Sequence, residues 1–137
     1  MNNRQLAIVT GTSSGIGHEL ARQLLDRGWG VIGLARRSAG LSTPAYVHLS
    51  IDIGEVTELP ARLDAKLGPL VRASTVTRIA LVNNAADVAL LGQVDQLDPA
   101  GMLRSYAVNT VAPVLLMGWV LHATPPHLPL RIVNVSS

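Results

Sequence analysis

Short aliphatic runs alternate along this chain with stretches in which hydrophobic residues recur every three or four positions. The aliphatic runs predict buried β-strands, and the stretches between them predict amphipathic helices. The predicted strands cover residues 6–9, 30–35, 46–51, 78–82 and 131–135. The predicted helices cover residues 15–27, 52–67 and 99–123.

Local signals mark where these helices begin and end. Gly28 follows the first helix, a position at which glycine commonly ends helices. Asp52 and Glu55 have the spacing of a capping box, which predicts that the second helix begins at Asp52. Asp98 precedes Pro99, which predicts an N-cap followed by proline at the first position of the third helix.

Strands that alternate with helices predict an α/β fold built from right-handed βαβ units. The expected architecture is a doubly wound parallel sheet, Rossmann-like, with strand order 3-2-1-4-5. We expect residues 1–137 to form one dinucleotide-binding domain, incomplete because the sheet is truncated after the fifth strand.

The composition fits a sheet covered on both faces. Hydrophobic residues make up 48% of the chain, charged residues 15% and aromatic residues only 3%. Aliphatic strands of this kind are typical of buried parallel sheets. The scarcity of aromatic side chains argues against a nucleic-acid-binding surface that works by base stacking.

The charge pattern and the remaining residue types exclude several other classes. The net charge is +2, and Arg36 and Arg37 are the one adjacent basic pair, so no nucleic-acid partner is expected. Residues 111–123 are the most apolar segment, but Pro113 interrupts it and it is too short to span a bilayer. With no signal-peptide pattern at the N-terminus, we expect a cytoplasmic protein without membrane contact. There is no cysteine, and the four histidines lack metal-ligand spacing, so no metal site is predicted.

The turn after the first strand carries the strongest chemical signal. Residues 10–17 read T-G-x-x-x-G-x-G between a predicted strand and a predicted helix, which is the setting of a dinucleotide-binding loop. Gly11 lets the chain turn off the strand, Gly15 permits close approach of a diphosphate, and Gly17 lets helix and sheet pack closely. The N–H groups at the helix N-terminus would attract the anion. A plain strand-to-helix connection is the alternative.

This spacing is one residue longer than G-x-G-x-x-G, and it resembles that of the short-chain dehydrogenase/reductase family. The resemblance covers the whole chain and includes N-N-A-A at residues 83–86, Asn109, and V-S-S at residues 135–137. Residues 79–116 are most similar to the benzil and sepiapterin reductase type. The resemblance implies that a set of residues binds the cofactor: Gly11, Ser13, Ser14, Gly15, Ile16, Gly17, Arg36, Arg37, Asp52, Ile53, Asn84, Ala85 and Ala86.

The resemblance also implies individual contacts within that set. The backbone of residues 84–86 would line the cofactor ribose, while the Asn84 side chain braces the central strands. Ala86 departs from the family's glycine, and its methyl group narrows the space beside the cofactor. Asp52 would accept a hydrogen bond from the adenine amino group with Ile53 packed on the ring, and a helix-capping role for Asp52 is compatible with that contact.

The end of the second strand bears on cofactor choice. An NAD-preferring site places a carboxylate there to bind the ribose hydroxyls. This chain has Ala35, followed by Arg36 and Arg37. A guanidinium can bind a 2′-phosphate with two hydrogen bonds, so we expect NADPH to be preferred over NADH, with Arg36 the main contact and Ser13 a helper. The alternative is a solvated pair of charges.

Two residues match catalytic positions of the family. Ser137, or less plausibly Ser136, matches the serine that hydrogen-bonds the substrate carbonyl, although a strand-end serine can simply close a turn. Asn109 matches the asparagine whose backbone carbonyl holds a water in the proton relay. Pro113 has no N–H to donate to that carbonyl, which leaves it available at an expected kink. A kinked core helix with a satisfied asparagine is the alternative.

The family's proton donor, a tyrosine four residues before a lysine, is absent from the sequence. The tyrosines are Tyr46 and Tyr106 and the one lysine is Lys66, so none has that spacing. We therefore expect a full-length carbonyl reductase or alcohol dehydrogenase acting on a small carbonyl or alcohol, and no catalysis by these residues alone. The alternative is a non-catalytic dinucleotide-binding fragment or regulatory binder. Within the helix at 99–123, the run from Val114 to Leu121 is too apolar all round to face solvent, so this helix is either doubly buried or a homo-oligomer interface.

Overall fold

The fold alternates strands and helices as the sequence predicts. The computed structural model describes residues 4–136. Its elements in chain order are β1 (Arg4–Thr10), α1 (Gly15–Asp26), β2 (Gly30–Ala35), β3 (Tyr46–Ser50), α2 (Leu59–Val71), β4 (Val76–Asn83), α3 (Pro99–Tyr106), α4 (Ala112–Ala123) and β5 (Leu130–Asn134). A 3₁₀ turn at Val94–Gln96 precedes α3, and a π-helical turn at Ala107–Val111 joins α3 to α4.

The five strands form one parallel sheet in the order β3-β2-β1-β4-β5. The predicted fold class and strand order are therefore confirmed. In the centre of the sheet Ile8 lies opposite Ile32 on one side and Leu81 on the other. Because all strands run the same way, their carboxyl ends meet at one edge, where open α/β sheets bind ligands.

Hydrophobic residues pack on both faces of the sheet, in a larger and a smaller cluster. Successive side chains of β1 point to opposite faces. Ile8 therefore belongs to the larger cluster, packed under α2 and α4, while Ala7 and Val9 belong to the smaller one, packed under α1. Burying one large aliphatic side chain contributes about 1.5–3 kcal/mol, so the larger cluster dominates the stability of the fold.

The second predicted helix begins later and ends later than the sequence signals indicate. Residues 52–58 form turns, and α2 runs over Leu59–Val71, so Asp52 is not its N-cap and the capping-box prediction is wrong. The Asp52 carboxylate instead accepts the N–H of Gly54, two residues on, which is a local turn that competes with helix formation. Pro60 lies in the first turn of α2, where its missing N–H costs no helical hydrogen bond.

The third predicted helix is continuous from Pro99 to Ala123 but changes its winding midway. The Asp98 carboxylate accepts the N–H of Gly101 at 2.8 Å, which confirms the predicted N-cap. The π-helical turn ends two residues before Pro113, which has no N–H to complete an α-helical bond. The structure therefore has a widened turn where a kink is expected, and the kink itself stays a prediction.

One face of α4 is buried and the other is exposed. Leu116 and Val120 lie in the larger cluster, whereas Val114 and Leu121 are 59% and 63% exposed. Within residues 4–136 the doubly buried alternative is therefore wrong, and an oligomer interface stays a prediction. The helical segment Pro99–Ala123, at 25 residues, is long enough to span a membrane, and its most apolar 18-residue window has a mean hydropathy of 1.3. A core helix meets the same criteria, and this one packs in the larger cluster.

Candidate functional site

A cavity of about 570 Å³ opens at the carboxyl edge of the sheet, within the size range of ligand sites. The ends of β1, β2, β3 and β4 form its walls, and α3 and the π-helical turn close one side. Its lining residues are Gly11, Ser13, Ser14, Leu34, Ala35, Arg36, Arg37, Ile51, Asp52, Ile53, Asn84, Ala85, Ala86, Asp87, Val88, Ala89, Arg104 and Val108. All predicted cofactor residues except Gly15, Ile16 and Gly17 are among them.

The glycine turn needs glycine at three positions for different reasons. Gly11 and Gly15 have φ angles of 73° and 60°, in the left-handed region that side chains disfavour. Gly17 lies so close to the Gly11 carbonyl oxygen and the Asn84 amide that a Cβ would overlap both. The absence of a side chain at Gly17 therefore brings the start of α1 against the ends of β1 and β4.

The start of α1 borders the cavity through Ser14, and the N–H groups of its first turn have no protein partner among the described residues. Ser14 is the N-cap, with extended backbone and no capping bond from its side chain, and the first turn of α1 holds no acidic residue. Unpaired N–H groups and the helix dipole at this point favour an anion. Ile16 is 69% exposed and lies outside the cavity, in the same first turn as Gly15 and Gly17.

Thr10 joins the turn to the end of β4. Its hydroxyl accepts the N–H groups of both Asn84 and Ala85 at 2.9 Å, and its carbonyl accepts the Asn84 side-chain amide at 3.2 Å. The expected bracing role of the Asn84 side chain is therefore visible in the structure. Thr10 is the first residue of the T-G-x-x-x-G-x-G motif, but its bond to the end of β4 is not evident from the sequence.

A second brace lies under the turn and was not foreseen. The Thr12 and Tyr46 hydroxyl groups are 3.0 Å apart and buried, and the Tyr46 hydroxyl also lies 3.1 Å from Nδ1 of His48. A Cβ at Gly33 would overlap both hydroxyls, so the glycine inside β2 makes room for this contact. Burial raises the pKa of Tyr46, more than its hydrogen bond with Thr12 lowers it.

Arg36 and Arg37 are exposed after the end of β2, on the cavity wall, where the 2′-phosphate of NADPH is expected to bind. Within residues 4–136 neither guanidinium lies in a salt bridge. The Ser50 hydroxyl donates to the Arg36 carbonyl at 3.0 Å, which ties the backbone of this position to β3. Arg36 is therefore fixed at its base and free at its tip.

Asp52 follows the neighbouring strand β3 on the cavity wall and carries two hydrogen bonds. Its carboxylate accepts the Gly54 N–H at 2.9 Å and the Arg104 guanidinium at 2.8 Å, while the neighbouring Ile53 is buried. Burial raises the pKa of Asp52, but the Gly54 N–H and the Arg104 guanidinium outweigh it and hold the pKa below its usual value. Asp52 is thus an ionised acceptor beside an apolar side chain, a pairing that suits a heteroaromatic base with an amino group.

Asn109 acts through its side chain on the loop that follows β4. It accepts the Asp87 N–H at 2.7 Å and donates to the Asp87 carbonyl at 2.9 Å. Asn109 does not line the cavity itself, but it clamps a segment that does. The expected role of its backbone carbonyl stays a prediction, and Ser137 lies outside the described residues.

The arrangement can hold an elongated anionic ligand along the strand ends. It offers an anion site at the start of α1, a cationic side chain at Arg36, and an acceptor beside Ile53. Among the described residues no three histidine, aspartate or glutamate side chains are grouped to hold a metal ion.

Comparison of the sequence with known proteins gives a consistent result. The family model described as short chain dehydrogenase matches residues 5–137. Benzil reductase ((S)-benzoin forming) from Bacillus cereus is 27% identical over 138 residues, which cover 95% of this chain and 55% of that protein. The chain thus spans about half the length of the curated relatives it matches.

Solved structures give the same fold. A short-chain dehydrogenase/reductase from Burkholderia vietnamiensis has a TM-score of 0.90 and 31% identity, over 98% of this chain and 66% of that one. A metagenomic short-chain oxidoreductase in complex with NADP has a TM-score of 0.79 and 29% identity, over 97% and 62%. A 3-ketoacyl-(acyl-carrier-protein) reductase from Brucella melitensis complexed with NADH, at 23% identity and a TM-score of 0.77 over 97% and 57%, shares the fold.

Proposed function

Because the chain belongs to the short-chain dehydrogenase/reductase family, we propose that it binds NADPH as part of an oxidoreductase that reduces a small carbonyl compound. A nicotinamide cofactor would supply the hydride for that reaction, and the residues described here would bind and orient it. The observation that carries the proposal is the cradle at the glycine turn. A Cβ at Gly17 would displace the Gly11 carbonyl and the Asn84 amide, so this backbone geometry is built around the absence of a side chain.

The preference for NADPH rests on the end of β2. Ala35 places no carboxylate where NAD-preferring sites have one, and the Arg36 guanidinium is unpaired among the described residues and lies on the cavity wall. A guanidinium forms strong paired hydrogen bonds to phosphate. A related structure with 29% identity contains NADP, which supports the proposal without deciding between the two cofactors.

Calorimetric titration with NADPH and NADH tests this preference. Loss of a hydrogen bond to a charged group costs about 1.5–3 kcal/mol, so Arg36→Ala should weaken NADPH binding by about tenfold or more and leave NADH binding nearly unchanged. Arg27→Ala, an exposed position at the far end of α1, is the matched control and should change neither affinity. Equal affinity of the unmodified chain for NADPH and NADH would refute the preference.

The proposed reaction also needs groups that bind the substrate carbonyl and donate a proton. Ser137 would hydrogen-bond the substrate carbonyl, and Asn109 would support the proton relay from its widened helical turn. Since the sequence has no tyrosine four residues before a lysine, we infer that residues 1–137 alone bind dinucleotide without turnover. Substrate-dependent oxidation of NADPH by this purified polypeptide, measured with benzil or other small carbonyl compounds, would disprove that inference.

A further inference from the structure

Arg104 bridges two acidic side chains that come from distant parts of the chain. Its Nη1 donates to the Asp52 carboxylate at 2.8 Å, and its Nε lies 3.7 Å from the Asp87 carboxylate. The three side chains are 33%, 25% and 18% exposed, so this is the least exposed ion-pair group among the described residues. The guanidinium also forms part of the cavity wall.

The route of the Arg104 side chain depends on Gly54. A Cβ at Gly54 would overlap the Arg104 guanidinium, so a side chain at this position would force the tip of Arg104 to shift from its place against Asp52. Gly54 also donates its N–H to the other oxygen of the same carboxylate. Each carboxylate oxygen is therefore held by one donor, and each keeps a second lone pair for a ligand.

The two partners of Arg104 border different parts of the cavity. Asp52 lies beside Ile53 at the end of β3, whereas Asp87 follows β4 and is clamped through its backbone by Asn109. Arg104 thus connects the wall expected to hold the adenine with the loop after β4, whose residues 84–86 are expected to line the cofactor ribose. An arginine suits this task because its planar fork can serve two carboxylates at once, whereas a lysine offers one point charge.

We propose that Arg104 is a positioning residue for the base-recognition site: it fixes the orientation of the Asp52 carboxylate so that the site selects a base with an exocyclic amino group over one with a carbonyl at that position. This inference rests on the proposed function, since it assumes that a dinucleotide lies in the cavity. An adenine amino group donates to the fixed carboxylate. A hypoxanthine carbonyl in the same place would face a negative charge without a hydrogen bond.

The test compares NADPH with its hypoxanthine analogue by calorimetry, using the whole 137-residue chain. The unmodified chain should bind NADPH about tenfold or more tightly than the analogue, the effect of one hydrogen bond to a charged group. Arg104→Met should weaken NADPH binding by about tenfold and bring the ratio of the two affinities close to one. Arg104→Lys should retain part of the ratio, because a single charge still faces Asp52.

A second variant and a control separate positioning from general damage. Gly54→Ala displaces the guanidinium without removing it and should lower the ratio as well, and it provides the answer if Arg104→Met fails to fold by circular dichroism. Arg62→Met removes an exposed ion pair with Glu55 outside the cavity and should leave the ratio unchanged. A loss of affinity that is equal for both dinucleotides would show that Arg104 only supports the fold, and would overturn the inference while leaving the proposed function standing. Failure of the unmodified chain to bind either dinucleotide would overturn both.

Discussion

Replacing Gly17 by alanine tests whether the close approach of α1 to the strand ends is as tight as the structure shows. The new methyl group would overlap the Gly11 carbonyl oxygen and the Asn84 amide, and it would lie 2.9 Å from the Gly11 carbonyl carbon. Two of these atoms belong to the backbone of the turn. They cannot rotate away as a flexible side chain could, so either α1 or the turn must shift.

The expected change in the free energy of unfolding of Gly17→Ala follows from two opposing effects. Alanine in place of glycine inside a helix normally stabilises it by about 1 kcal/mol. Overpacking of a tight contact costs about 1–3 kcal/mol, and a contact with fixed backbone belongs at the upper end of that range. We therefore expect Gly17→Ala to lower the free energy of unfolding by about 1–2 kcal/mol.

Gly118→Ala is the matched control, because it makes the same substitution in α4, where no atom lies within 4 Å of the new Cβ. That variant should raise the free energy of unfolding by about 0.5–1 kcal/mol. Urea denaturation followed by circular dichroism measures both changes, and opposite signs are expected. An unfolding midpoint for Gly17→Ala at or above that of the unmodified chain would refute the argument that the Gly17 contact excludes a side chain.

Two further predictions concern the polar contacts around the cavity. Tyr46→Phe removes the buried hydroxyl that contacts Thr12 and His48, and it should lower the free energy of unfolding by about 1–2 kcal/mol in urea denaturation. Tyr106→Phe is the control and should have no effect, because the Tyr106 side chain is 64% exposed. Equal unfolding midpoints for the two variants would contradict the role of the buried hydroxyl. The lowered pKa of Asp52 means that its ion pair stabilises the fold above the usual value near 3.8 and that this contribution is lost as the pH falls through the lowered pKa. The difference in unfolding midpoint between the unmodified chain and Asp52→Asn should therefore be full at pH 6 and shrink below about pH 4, and a difference that grows in acid would show the sign to be wrong.

The fold could be predicted from the sequence because each strand is a short aliphatic run that neighbouring residues alone make recognisable. The run from Leu6 to Val9 is aliphatic on both faces, which occurs where a strand is covered on both sides, and β1 indeed lies at the centre of the sheet. The N-cap at Asp98 and the turn at Gly11 were predictable for the same reason, since each depends on neighbours along the chain.

Contacts between distant segments were not predictable. Asp52 has the local pattern of a helix cap, but Arg104, 52 residues further on, and the nearby Gly54 N–H occupy its carboxylate instead. Nothing in the sequence indicates a role for Tyr46. Its hydroxyl reaches Thr12 because β2 and β3 pair in parallel and Gly33 leaves space for the contact. Sequence patterns report periodicity and turns, whereas these contacts depend on the register of the sheet and on the path of a long side chain.

The unequal size of the two hydrophobic clusters affects where the domain opens locally. The glycine turn leads into α1, and α1 packs on the smaller cluster. Ala7, Val9 and Ala21 of that cluster bury less apolar area than the leucines that α2 contributes to the larger cluster. Local opening should therefore cost least on the α1 side, because the free energy of opening follows the apolar contact that is lost. A ligand bound between the turn and the end of β3 would raise that cost in proportion to the logarithm of its concentration over its dissociation constant. The cofactor proposed here would thus stabilise the α1 side of the domain, which buries less apolar area, as well as supply the hydride for the reaction.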